Sequence, residues 1–333
     1  MRFRFKPTPE QRAALRDQLS RLQQPEVLLA VLADRLPRSV EPGGICVTVE
    51  RVHSDRFVLR VRVSSRIAAP REYAVKVYSD DFCRRVWAHA QRLADYQQPD
   101  RDGLCLPTHY LPQARMLVFP WVGGVPLSDV VCRRPDLLRR AAALAADLHR
   151  MPVVPEHHTT VQMIVEEARA RCDRLRLRVP ETRQIIDPLM TTVEEAATLL
   201  DPAEPAPVHG DMAAGQFLWT GDRLVLLDLD MFGYADPAYD VGHFLAQLER
   251  RCSFDPGLPA HAARWLPCFR DAYFAAMPLV SPRNAAFYRG LTLVRKIYTI
   301  CRREPNAWPE LAPRLASGAR AALRELTSSE LLA

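Results

Sequence analysis

The stretch HGDMAAGQFLW, residues 209–219, is the most informative segment of this 333-residue sequence. The polar turn TGDR and the run LVLLDLD follow it, so two short apolar segments flank a turn. This pattern predicts a hairpin of two strands. Asp211, Gln216 and Asp228 are distributed over the hairpin and the loop before it, and carboxylate and amide oxygens are ligands that Mg²⁺ accepts.

The register of this hairpin decides whether Gln216 and Asp228 share a face. A three-residue turn, 221–223, sets Gln216 opposite Asp228, and opposed residues point to the same side. A two-residue turn pairs Gln216 with Leu227 instead and sends Asp228 to the other side. A metal site therefore predicts the longer turn or a bulge. Asp230, two residues further along an extended strand, would share the face of Asp228 and could reach a second magnesium ion.

The first 120 residues predict a small, β-rich lobe. Residues 8–36 have helical apolar spacing that breaks at Pro25, which indicates a preface of two short helices. From about residue 45 to 120 alternating apolar and polar positions predict an antiparallel sheet of at least three strands. The stretch 114–130 runs from a strand into a connection rich in Pro and Gly, which is a candidate hinge.

The rest of the chain, residues 121–333, predicts a larger, mainly helical lobe that holds the hairpin and its loop (209–230). Helical periodicity extends over seven segments, 135–150, 158–178, 183–200, 239–250, 260–277, 283–303 and 308–328. Together the two regions predict an α+β, bilobal architecture with a β-rich N-lobe and an α-helical C-lobe.

Composition narrows the function classes. Hydrophobic residues make up 48% and charged residues 25%, as in soluble globular proteins, and no apolar run reaches 18 residues, so a cytoplasmic protein outside the membrane is expected. The eight cysteines lack metal-ligand spacing, which favours free thiols. Basic residues are dispersed despite the net charge of +6, so nucleic acid is not an expected partner. Of 45 basic residues only Lys6, Lys76 and Lys296 are lysine.

The segment HGDMAAGQFLW…VLLDLDMFGYADPAYDVGHFL resembles the signature of the aminoglycoside phosphotransferase and choline kinase-like family, whose fold is similar to that of protein kinases. The resemblance covers about residues 45–250. It implies a bilobal protein-kinase-like fold, ATP or GTP, Mg²⁺, and transfer of the γ-phosphoryl group to a hydroxyl of a small molecule. By the family's pattern, Asp211 is the catalytic base, Gln216 the metal-binding amide and Asp228 the principal metal-binding carboxylate.

The same resemblance assigns residues of the N-lobe. Lys76, in AVKVY, falls where the family's strand lysine contacts the α- and β-phosphates. The segment LVFPWVGG resembles the family's hinge, which implies that Phe119 and Trp121 contact the nucleotide.

Three departures from the family's pattern leave an alternative open. Gln216 stands where asparagine is expected, the helical segment after Lys76 has no glutamate to pair with it, and the first strand turn, VHSDR, has no glycine. Glutamine offers the same carbonyl oxygen on a longer stem, so a working phosphotransferase is the preferred hypothesis. A non-catalytic, kinase-like binding protein is the alternative. A kinase acting on proteins is disfavoured because GYADPAYD follows the metal strand directly and leaves no long activation loop.

The C-terminal helices indicate the kind of acceptor. Residues 241–333 contain 13 Lys and Arg against 7 Asp and Glu, which is not the acidic surface that a polycation would need. The sequence therefore predicts a sugar, nucleoside-like or other neutral to anionic hydroxyl compound, such as an antibiotic or a biosynthetic intermediate, and not a strongly cationic one. Among polar residues outside the motif, Asp236 and Asp240 are expected to cap a helix, His209 to bond loop carbonyls and His149 to end a helix.

Overall fold

The computed structural model describes residues 7–33, 40–65, 69–98, 100–255, 257–304 and 306–326. Two compact units emerge from its contacts. One comprises residues 2–99 and 104–123, and the other comprises residues 100–103 and 124–333. Lys6 and residues 34–36, the end of the predicted helical preface, lie outside the described residues.

The N-terminal unit is built on a five-stranded antiparallel sheet in the order β1-β2-β3-β6-β5. The elements up to residue 123 are α1 (Pro9–Leu22), α2 (Pro25–Leu32), β1 (Val40–Val52), β2 (Arg56–Ser65), β3 (Arg71–Tyr78), α3 (Phe82–Ala94), β4 (Gly103–Leu104), β5 (His109–Leu111) and β6 (Met116–Pro120). The two predicted helices are present, and the second begins at Pro25 as expected.

Helices cover both faces of this sheet, since its strands direct apolar side chains to each face. Leucines of α1 and α2, such as Leu15 and Leu28, pack with Phe57 and Val75 on one face. On the other face Tyr78 and Leu117 pack against α3, which presents Cys83 and Val86. The strand residue Lys76 lies opposite Leu117 and so projects toward this second face.

The C-terminal unit is mainly helical, as predicted. Its elements are β7 (Val125–Pro126), α4 (Leu127–Val130), α5 (Leu137–Arg150), α6 (Val161–Arg178), α7 (Arg183–Ala197), β8 (Ala206–Val208), β9 (Phe217–Trp219), β10 (Leu224–Leu226), β11 (Gly233–Ala235), α8 (Ala238–Phe254), α9 (Pro259–Ala276), α10 (Pro282–Arg303) and α11 (Trp308–Glu325). Residues 327 and 328 of the last predicted helix lie outside the described residues.

Helix α8 is the centre of this unit. It packs against α9, α10 and α11, and most of its side chains from Ala238 to Leu248 are buried. β9 and β10 pair antiparallel, with β7 on the other side of β9, while β8 pairs with β11. Within the described part of the chain, no helix combines the length and apolarity needed to span a bilayer.

Candidate active site

The loop between β8 and β9 is held by a buried carboxylate of α8. Asp240 is fully buried, and its Oδ2 accepts from the backbone N–H of His209 at 2.6 Å while Oδ1 accepts from Gly210 at 2.9 Å. Burial acts to raise the pKa of Asp240, but the hydrogen bond and charge of His149, with those of the loop, hold it below its usual range. Asp240 therefore stays ionised and fixes the start of the loop.

A second layer of side chains supports this carboxylate. His149, in the last turn of α5, places Nε2 3.2 Å from Asp240 and Nδ1 2.6 Å from the hydroxyl of Tyr273. His209 contacts the carbonyl of Leu227 through Nε2 at 2.9 Å, so its predicted bond to a loop carbonyl is present. Capping was the wrong interpretation of Asp240, because its carboxylate serves the loop rather than its own helix.

The sharp turn of the loop requires glycine at position 210. Gly210 has a φ of 81°, and a Cβ there would overlap the carbonyl oxygen of Met231. We expect Gly210→Ala to lower the free energy of unfolding by more than 2 kcal/mol, because left-handed strain and a backbone clash add up. Gly221→Ala is the matched control: its φ is 109° but its Cβ would meet nothing within 4 Å. Urea unfolding of both variants measures the two losses in the free energy of unfolding. Equal losses would contradict the contribution of the clash with Met231.

Asp211 follows Gly210 and faces a buried histidine. Half of the Asp211 side chain remains exposed, and its Oδ1 lies 3.2 Å from Nε2 of His243, which is 4% exposed. The surrounding protein acts to raise the pKa of Asp211, but the hydrogen bond from His243 and the positive charges of His243, Lys296 and His209 lower it overall. Asp211 is thus an ionised acceptor that is still open on one side.

The hairpin after the loop has a shorter turn than predicted. Leu224 pairs with Trp219, and the N–H of Leu227 donates to the carbonyl of Gln216 at 2.9 Å. This is the two-residue register, and β9 and β10 pair without a register shift, so the prediction of a longer turn or a bulge was wrong. Gly221, whose φ is positive, supplies the conformation that a tight hairpin turn needs.

Asp228 escapes the rule of alternating faces because it lies beyond the strand. β10 ends at Leu226, and Asp228 adopts a left-handed conformation with φ 65° and ψ 59°. Asp230 lies in a 3₁₀ turn, residues 229–231, so the prediction that it shares an extended strand with Asp228 was also wrong. The side chain of Asp230 is almost wholly buried, at 4% exposure. The last hairpin bond still sets Gln216 directly opposite the neighbour of Asp228.

Gln216 carries the clearest sign of a missing ligand. Its Oε1 is buried, and no described residue donates a hydrogen bond to it. A buried carbonyl oxygen without a donor is costly, and a hard cation such as Mg²⁺ satisfies it. The described residues include no group of three or more His, Cys, Asp or Glu arranged to hold a metal. A magnesium site here would therefore combine one or two carboxylates with this amide and with oxygens of another molecule.

The N-terminal unit contains the three other predicted site residues. Lys76, on β3, is 8% exposed, and its ammonium lies 5.6 Å from the centre of the Tyr78 ring. Phe119, on β6, packs with the cluster that α3 covers. The ring of Trp121 lies under the guanidinium of Arg60, at 4.5 Å. α3 contains no acidic residue, in agreement with the missing glutamate noted in the sequence.

The sequence alone did not identify His243 or Lys296 as neighbours of Asp211. The signal for His243 was its position three residues after Asp240 on one helix, which places both on the side that faces the loop. Lys296 lies on α10, 85 positions after Asp211, and only the tertiary fold brings the two charges together.

The two units and this loop define a class of protein. A β-rich unit carries a buried strand lysine, and a helical unit presents an aspartate five residues before an unsatisfied amide oxygen. The fold is the bilobal protein-kinase-like fold, which confirms the predicted α+β class. Residues 43–278 match the family described as the phosphotransferase enzyme family. The chain belongs to this family.

Solved structures support the fold over nearly the whole chain. A choline kinase from Cryptosporidium parvum Iowa II has a TM-score of 0.66 at 11% identity, over 92% of this chain and 97% of its own. The choline kinase LicA from Streptococcus pneumoniae has a TM-score of 0.60 at 14% identity, over 89% of this chain and 98% of its own. Aminoglycoside phosphotransferase APH(4)-Ia, solved with ADP and hygromycin B, has a TM-score of 0.61 at 12% identity, over 92% of this chain and 100% of its own. No curated protein matches the sequence.

Proposed function

We propose that this protein is a small-molecule kinase that transfers the γ-phosphoryl group of ATP or GTP to a hydroxyl acceptor. One observation carries the proposal. Asp211 is ionised, half-exposed and oriented by His243, on a loop fixed by Asp240, and the buried oxygen of Gln216 five residues later has no donor among the described residues. Family membership and the nucleotides named for solved relatives support the same activity.

The chemistry asks little of the protein beyond position and charge. The acceptor hydroxyl donates its hydrogen bond to the open oxygen of Asp211, which holds the hydroxyl for attack on the γ-phosphorus. A bond forms between the acceptor oxygen and phosphorus, and the bond from phosphorus to the bridging oxygen of the diphosphate breaks. The hydroxyl proton passes to Asp211 as the new ester forms. His243 keeps the other side of the carboxylate in place.

Magnesium fits the donor set of the hairpin. Gln216 and Asp228 would hold it, and Asp230 would hold a second ion or orient these ligands. When bound, Mg²⁺ neutralises charge on the phosphate oxygens. Lys76 would contact the α- and β-phosphates, and Phe119 and Trp121 the nucleoside. We propose further that the two compact units are the predicted N-lobe (1–120) and C-lobe (121–333).

Thermal unfolding with Mg²⁺-ATP and Mg²⁺-GTP tests the proposal without knowledge of the acceptor. Nucleotide at about a hundred times its dissociation constant stabilises the folded protein by roughly 2.7 kcal/mol, which raises Tm by several degrees. We expect a shift that needs magnesium and that Asp228→Ala removes. Asp271→Ala, a carboxylate on the exposed side of α9, is the control and should keep the shift. No shift with either nucleotide in the wild type would contradict the proposal.

A non-catalytic, nucleotide-binding protein is the second candidate. It is favoured by the sequence of α3, which covers the face that carries Lys76 and has no glutamate where the family's pattern has one. The two candidates differ in turnover. A nucleotide-dependent Tm shift with no release of ADP or GDP across a broad set of hydroxyl compounds would favour the second.

A further inference from the structure

A cavity of about 380 Å³ lies at the edge of the loop that follows Asp211. We call it the loop-edge pocket. Residues of the loop form one side and residues of α8 form the other, namely Ala213, Ala214 and Gly215 on the first and Gln247, Arg250 and Arg251 on the second. Its walls include small loop residues, which leave room beside the backbone for a bound molecule.

One face of α8 connects this pocket to the proposed catalytic base. His243 contacts Asp211, and the amide nitrogen of Gln247 lies 3.1 Å from Nε2 of His243. Arg250 follows at the next turn of the same face, because residues three and four apart are neighbours on a helix. Gln247, which lines the pocket, is therefore one helical turn from the histidine that contacts Asp211.

Arg250 is a partly buried cation that forms no ion pair with a described residue. Its guanidinium stacks on Phe254 at 4.7 Å, and its Nε is buried with no hydrogen-bond partner among the described residues. No ion pair holds it within the described chain, and Glu304 acts on it only at longer range. Arg289, which is also partly buried, differs from Arg250 because it pairs with Glu249 at 2.7 Å. An unpaired, desolvated guanidinium is unfavourable unless a ligand supplies the partner.

Lys296 is a second positive charge, and it interacts electrostatically with both Asp211 and Arg250. It forms no hydrogen bond or ion pair with any described residue. Burial lowers its pKa to about 8, the charge of Asp211 opposes this, and the charges of Arg295, Arg250 and Arg171 lower it further. Arg295 and Arg171 are paired with Glu167, so their charges are partly balanced. Lys296 and Arg250 remain as cations that an incoming anion can pair with.

The acidic groups around the pocket do not cancel this charge. Arg251 already has a partner, since its guanidinium lies 3.7 Å from Asp129. Asp255 also lines the pocket, but it is exposed and its Oδ1 accepts from the N–H of Gly257. A cationic acceptor would thus meet Arg250, which has no ion pair among the described residues, and Lys296, whose charge only Asp211 opposes, while an anionic one would meet its natural partners.

We propose that the acceptor is an anionic hydroxyl compound whose phosphate or carboxylate group binds Arg250 and Lys296 in and beside the loop-edge pocket while its hydroxyl reaches Asp211. This inference rests on the proposed function, because it names the substrate class of the same site. It specifies the charge of the acceptor, which the sequence left between neutral and anionic.

Four small hydroxyl compounds of similar size test the inference as probes: glycerol 3-phosphate, glycerate, glycerol and choline. Their binding to the full chain is measured by calorimetry with the nucleotide site filled by magnesium and a non-hydrolysable ATP analogue. We expect the anions to bind at least tenfold more tightly than glycerol or choline. Comparison of glycerol 3-phosphate with glycerate separates a phosphate subsite from a carboxylate subsite.

Variants then assign the binding to the pocket. Arg250→Gln and Lys296→Met should each weaken anion binding about 10- to 100-fold, as expected for the loss of a charge-assisted bond. Arg250→Lys should weaken anion binding less, since lysine keeps the positive charge but lacks the planar guanidinium that can donate two parallel hydrogen bonds. Arg270→Gln, on the exposed side of α9, is the control and should bind like the wild type. Thermal unfolding of each variant confirms that the fold persists.

Three results would overturn the inference: no anion binding at millimolar concentration, choline binding as tightly as the anions, or equal anion affinity in wild type and in both charge-removing variants. Its failure is distinguishable from failure of the proposed function. Suppose that Mg²⁺-nucleotide raises Tm and Asp228→Ala removes the shift, but one of these three results is also found. Then only the inferred charge of the acceptor is wrong. If the nucleotide shift itself is absent, the kinase proposal fails first.

Discussion

Asp211→Asn should lower kcat by about 10²- to 10⁴-fold while the protein stays folded and binds nucleotide. The amide is nearly isosteric, so the loop and His243 keep their places, but the acceptor hydroxyl loses the ionised oxygen that takes its proton. The pKa of Asp211 is already held low by His243 and Lys296, so the carboxylate works as an ionised acceptor across neutral pH. Steady-state release of ADP with an accepted hydroxyl compound measures the loss.

Two comparisons separate this effect from damage to the fold. Asp271→Asn makes the same chemical change on the exposed surface of α9 and should retain full turnover. The Tm shift with Mg²⁺-nucleotide should be the same in Asp211→Asn and in the wild type. Turnover within tenfold of the wild type would show that another group takes the proton.

Asp240→Asn should be the most damaging single change to the loop. The carboxylate accepts from the N–H of His209 and of Gly210 and contacts His149, all in a buried place. An amide presents one NH₂ group where an acceptor is needed, so at least one donor faces another donor. We expect a loss of about 3 kcal/mol in the free energy of unfolding. Turnover should fall by about 10²-fold or more, because the backbone that carries Asp211 moves.

The pH dependence of stability gives this prediction a second measurement. The pKa of Asp240 is lower in the folded protein than in the unfolded chain, so its stabilisation is complete above the unfolded value of about 3.9. It is lost as the pH falls through the lower, folded value. The gap between wild type and Asp240→Asn in urea should thus be wide at pH 7 and narrow toward pH 3. A difference that stays constant over this range would contradict a stabilising charge on Asp240. The control Asp271→Asn should unfold like the wild type at each pH.

Sequence periodicity was enough for the architecture because each element has a strong local pattern. The two helices before the sheet, the break at Pro25 and the long C-terminal helices all follow from apolar spacing, and they are present within a few residues of prediction. The spacing of Asp211, Gln216 and Asp228 likewise pointed to the loop and hairpin that the structure contains.

The hairpin register could not be predicted in the same way. Alternation along a strand applies only while the chain stays extended, and Asp228 leaves that conformation for the left-handed region. The predicted extended strand through Asp230 was wrong for this reason, and the longer turn or bulge was predicted only because Asp228 was expected to continue that strand. The sequence also could not predict that Asp240 accepts hydrogen bonds from the loop or that Lys296 lies near Asp211. Both contacts depend on the packing of α8 against the loop and α10.

Helix α8 divides its length between two tasks. Asp240 and His243, in its first two turns, hold the loop that carries Asp211, while Gln247, Arg250 and Phe254 further along line the loop-edge pocket. Gln247 contacts His243 and so takes part in both tasks, whereas Arg250 and Phe254 lie further along the helix. Acceptor preference could therefore diverge among proteins with one reaction chemistry through a few positions of one helix. Those positions are the natural targets for a library that seeks new acceptors without rebuilding the catalytic loop.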